Sequence, residues 1–116
     1  MTSQIPDGNL FAVARPDPDR ESFENLLALP GARVERIVSF GQSTPDAEWL
    51  SHDWTEWVLL LSGAARLRFE QESEARRLKP GDWVTIGPNV RHRVDWTAQD
   101  QPTIWLAVHV GEPARD

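Results

Sequence analysis

Glu56 opens the longest apolar run of the sequence, residues 57–61 (WVLLL). A carboxylate at the head of such a run is costly to desolvate unless it is paired, hydrogen-bonded or bound to a cation. Two stretches surround that requirement. Residues 51–63 (SHDWTEWVLLLSG) carry His52 with Glu56, and residues 80–96 (PGDWVTIGPNVRHRVDW) carry His92. Two imidazoles and one carboxylate read as a metal pocket, with His52, Glu56 and His92 as its ligands and positions left open for water or a ligand. The chain has no cysteine. A disulfide framework, a thiolate nucleophile and a thiolate zinc site are therefore excluded, and any metal is held by nitrogen and oxygen.

At 116 residues the chain fits a single domain with its own core. Lys and Arg number 12 against 18 Asp and Glu, a formal charge of −6. That balance argues against nucleic acid or an acidic membrane surface as the main partner. No apolar run approaches the roughly 18 residues of a membrane helix, and the N-terminus lacks a basic segment followed by an apolar core. The expectation is a soluble, cytoplasmic protein. All six tryptophans fall between Trp49 and Trp105, inside the segments with strand character, where they serve first as core fillers.

Residues 1–30 read as an N-terminal extension, with an edge strand at residues 9–13 and a turn-rich connector at 14–19 (RPDPD lies within it). A short helix is expected over residues 20–29, because Phe23, Leu26 and Leu27 fall at helical spacing, Asp19 can cap and Pro30-Gly31 ends the segment. From residue 32 the period changes to two. Strands are predicted at residues 33–40, 49–52, 56–61, 64–70, 75–78, 83–86, 91–96 and 103–110, within a barrel unit spanning residues 31–111 and followed by a tail, 112–116. The 56–61 strand reads as buried on both faces. In 91–96, His92, Val94 and Trp96 share a face and point inward. In 103–110 the all-apolar set Ile104, Leu106, Val108 and Val110 reads as the core face, which turns His109 outward. His109 becomes a fourth ligand only if the other face is the inner one.

Many short strands with turn signals every eight to twelve residues suggest a small antiparallel barrel or sandwich. The two stretches resemble the two motifs of the cupin superfamily. Glu56 and Gly63 have the spacing of that family's first motif, His52 stands at its second histidine position, Leu50 at its first and Thr44 at its opening glycine. Gly81 and His92 match the second motif, where Gly87 with Pro88 beside it replaces a proline, Asn89 a glycine and Trp96 an asparagine. The resemblance implies an all-β fold, a small antiparallel jelly-roll (cupin) β-barrel, to which the spacing over residues 20–29 adds one short N-terminal helix. It implies a divalent metal ion, Fe, Mn, Ni or Zn, and a small organic molecule as substrate or ligand. The reaction would be that of a dioxygenase, isomerase or lyase, with acid–base help from Asp53 or His109. The alternative is a non-catalytic cupin that binds a small ligand over a degraded metal site. An exposed edge strand predicts pairing with a second copy, hence a homodimer.

Overall fold

Eight antiparallel strands form where β-branched, leucine and aromatic side chains recur between glycine- or proline-marked turns. The computed structural model describes residues 5–113, so residues 1–4 of the expected extension and 114–116 of the expected tail lie outside it. The strands are β1 (Ser22–Leu29), β2 (Ala32–Ser39), β3 (Thr55–Ser62), β4 (Ala65–Phe69), β5 (Arg76–Leu78), β6 (Trp83–Ile86), β7 (His92–Thr97) and β8 (Thr103–Val110). They make a five-stranded sheet of order β1-β2-β8-β3-β6 and a three-stranded sheet of order β5-β4-β7. The inner faces of the two sheets share one core, built from Val58, Leu60, Leu67, Phe69, Val84, Ile86, Trp105 and Ala107. This is the antiparallel jelly-roll barrel the sequence predicts.

The helix expected over residues 20–29 is strand β1. The Pro30-Gly31 turn, with Gly31 at φ 77°, folds β1 back onto β2 as a hairpin. A β-bulge between Asn25 and Leu27 takes Leu26 out of the ladder, so Phe23 pairs with Ile37 on one face and Leu27 with Val34 on the other. The bulge breaks the period of two, which is why the apolar spacing resembles a helix. Residues 9–13 form a turn rather than an edge strand. The Asn9 side chain accepts the Phe11 N–H at 2.8 Å, and the Arg36 guanidinium donates to the carbonyls of Asn9, Leu10 and Ala12. Residues 49–52 contribute one bridge, Leu50 to His92, instead of a strand.

The inward face of β8 is Trp105, Ala107 and His109, all buried, and not the set Ile104, Leu106, Val108 and Val110. Its neighbours decide this. Directly opposed residues share a face of an antiparallel ladder, and β8 opposes His109 to Glu56, Ala107 to Val58 and Trp105 to Leu60, the buried residues of β3. The outer face of the sheet is nearly as apolar. Leu27, Val34, Val108 and Trp57 form one row across β1, β2, β8 and β3, flanked by a second row of Leu106, Leu59 and Trp83. Leu27, Trp83 and Val110 are at least half exposed there.

Candidate functional site

One end of the space between the sheets gathers all three histidines and Glu56. Glu56 and His109 face inward from opposed positions of β3 and β8, and His92 opens β7 in the facing sheet, buried against Phe69. His52 lies on the segment leading into β3. Its carbonyl accepts the N–H of Asn89 at 2.6 Å, and Asn89 adopts the left-handed conformation (φ 62°) that asparagine tolerates better than most residues. The His52 ring centroid lies 6.3 Å from that of His92 and 6.2 Å from that of His109. A cavity of about 410 Å³ opens here, walled by Val58, Leu67, Ile86 and Trp105, with the exposed Leu50 also in its lining.

Hydrogen-bond partners assign the ring protons. The Nδ1 of His92 lies 2.9 Å from the Val90 carbonyl, which can only accept, so Nδ1 carries a proton; in the neutral ring Nε2 then keeps its lone pair, 3.8 Å from Glu56 Oε1. His109 is the reverse. The indole N–H of Trp54 can only donate, and it donates to His109 Nδ1 at 3.0 Å. The proton of the neutral His109 ring is then on Nε2, which donates to Glu35 Oε1 at 3.2 Å and lies 3.7 Å from Glu56 Oε2. A nitrogen bearing that proton has no lone pair for a metal.

Glu35 is the site residue that sequence reasoning missed. Burial pushes its carboxyl up, but the hydrogen bond from His109 and the adjacent Arg33 guanidinium more than offset this and hold it below the ordinary range. Burial likewise holds the His52 imidazole below its ordinary range, with Glu56 opposing the shift and His92 and His109 adding to it. Its ring stacks on Trp54, with centroids 4.4 Å apart. Asp53 is exposed. The arginines on either side of His92 do not neutralise Glu56: Arg91 pairs with Glu70 and Arg93 with Asp95.

Glu56 itself is nine-tenths buried and accepts no hydrogen bond within the described residues, its polar neighbours being the two imidazoles at 3.7 and 3.8 Å. Its unspent oxygens and the His92 lone pair are two donors suited to a divalent metal. A third is not in place. Among the described residues, no three histidine, aspartate or glutamate side chains are arranged to hold a metal ion.

A family model described as Cupin domain matches residues 36–109. Among solved structures, a protein from Ralstonia eutropha JMP134, provisionally named a mannose-6-phosphate isomerase, is 40% identical with a TM-score of 0.89, covering 95% of this chain and 100% of its own. TT1209 from Thermus thermophilus shares the fold at 18% identity and a TM-score of 0.75, over 94% of this chain and 100% of its own. The polyketide cyclase RemF from Streptomyces resistomycificus does so at 16% identity and a TM-score of 0.73, over 97% of this chain and 83% of its own. None of the curated proteins matches. The family match runs over most of the chain, through the strands that carry Glu56, His92 and His109, and the chain belongs to the cupin family.

Proposed function

We propose that the cavity between the sheets binds a small organic molecule at its Glu56–His92 end. The Glu56 carboxylate carries this reading. Glu56 is buried as a residue, but its oxygens open on the cavity with their acceptors unspent, and a carboxylate presented to a cavity in this way marks a place where a partner arrives from outside. The 40% identical Ralstonia protein supports a ligand of this scale, since its provisional name is that of an isomerase of a sugar phosphate. Around such a ligand, His109 holds a proton on Nε2 between Glu35 and Glu56, and His92 presents a lone pair. The two rings can therefore serve opposite halves of a proton transfer.

A divalent metal is the second reading, favoured by the His92 tautomer, because a metal-ligating histidine commonly donates its other N–H to a carbonyl. Glu56 and His92 would be the two donors in place for Fe, Mn, Ni or Zn, and His52, the third that the sequence suggests, would have to move in beside them; when bound, the ion would supply a Lewis acid or redox centre. We also place a second copy of the chain on the outer face of the five-stranded sheet. A cytoplasmic site of action fits a chain without cysteine.

Glu56→Gln tests the first reading. It keeps the shape and removes a charge held in a largely buried position, so the metal-free variant should be about 1 kcal/mol more stable than wild type in urea melts. In equilibrium dialysis the same variant should lose any Mn(II) or Zn(II) that wild type binds. A variant destabilised by about 1 kcal/mol or more would make Glu56 a structural residue and end this reading.

A further inference from the structure

At the polar end of the cavity carboxylates outnumber cations and most of the strong donors are spent, the His52 ring N–H being the one left open. Trp54 gives its N–H to His109, and His109 gives its own to Glu35. Arg33, the one guanidinium in the lining, is engaged by Glu35, Glu112 and Asn25. The oxygens of Glu56 are unspent, the Nε2 lone pair of His92 faces inward, and Glu21 adds a third carboxylate, one of whose oxygens takes the Ser39 hydroxyl. Three carboxylates thus stand against one committed cation. An anion entering a site of low effective dielectric would be repelled, whereas O–H and N–H groups would find waiting partners. We infer that the molecule this cavity takes presents hydroxyl or ammonium donors to Glu56 and His92 and carries no phosphate or carboxylate. The inference rests on the small-molecule reading of the cavity. The wall of Val58, Leu67, Ile86 and Trp105 suits the C–H face of a ring whose edge bears those donors.

Three probes of one ring size separate the cases: glucosamine, glucose and glucose 6-phosphate, titrated into the ¹⁵N-labelled full chain after dialysis against chelator. The readout is the indole N–H resonance of Trp54, identified by its absence in Trp54→Phe. Glucose and glucosamine should shift it saturably, with Kd at least about tenfold below that for glucose 6-phosphate, a difference of about 1.4 kcal/mol. Glu56→Gln should weaken glucosamine about tenfold, and Glu35→Gln should narrow the gap between glucosamine and the phosphate ester about threefold. Glucose 6-phosphate binding as tightly as glucose, or a gap unchanged in both variants, overturns the inference and leaves the cavity reading standing. No saturable shift from any of the three overturns both.

Discussion

Asp95 is a carboxylate whose partners are all present, the opposite of Glu56. It accepts from Arg68 Nε at 2.6 Å and Arg93 Nε at 2.7 Å, and Arg93 spends three more N–H groups on the carbonyls of Thr44, Pro45 and Glu48. Burial pushes the Asp95 carboxyl up, but the two guanidiniums more than offset it and leave it below the ordinary range. A carboxyl depressed on folding stabilises the fold above its unfolded pKa, and that contribution is lost as pH falls through the lower, folded value. Asp95→Asn should therefore cost about 1–2 kcal/mol at pH 7, and the gap to wild type should shrink in urea melts below about pH 3.5. Equal gaps at pH 7 and pH 3 would refute the assignment. At this scale the sequence was legible where spacing carries meaning: Glu56, His52 and His92 all reach one cavity end. Glu35 was not, because Arg33, Glu35 and Ile37 alternate with Val34, Arg36 and Val38, leaving neither face of β2 cleanly polar. Trp54 was hidden too, since only three-dimensional proximity reveals which of six indoles meets a histidine.

Gly63 shows how a motif residue enforces an element. It lies seven positions after Glu56, in the turn between β3 and β4, at φ 88°. A Cβ added there would stand 2.5 Å from Thr103 Oγ1 and 2.7 Å from the Pro102 carbonyl, so the start of β8 presses directly on the glycine. Gly63→Ala should cost about 2–4 kcal/mol, combining the left-handed backbone penalty with overpacking. Calorimetric melting within a degree of wild type would show that the turn relaxes freely. Strands β6 and β8 could be read to the residue, because their bounding turns are sharp. Strand β1 could not, since its bulge imitates helical spacing. The inward face of β8 was equally hidden, because its outward set, Ile104, Leu106, Val108 and Val110, is the more apolar of the two and only its neighbours in the sheet choose between them.

That second apolar face is the feature that matters for the whole molecule. No helix among the described residues is long and apolar enough to cross a membrane, so lipid-spanning helices do not explain it. The charged side chains on the outer face of the five-stranded sheet are Glu24 and Arg36, which pair with each other. Two copies that each carry a net charge of −6 can therefore meet on this face without opposing like charges there. Five strands of up to eight residues span about 600 Å² of flat sheet, but Val38 and Ile104 are already buried on this face and Arg36 holds residues 9–12 beside it, so the open part is smaller than the roughly 800 Å² that each partner buries in an interface of standard size. Wild type should sediment as a dimer at micromolar concentration, and Leu106→Glu, which places a charge at the middle of the face, should yield a folded monomer. A wild-type monomer would remove the second copy. If the face is shared, association is coupled to folding. The melting temperature then rises with protein concentration, and dilution alone becomes a mild denaturant for this chain.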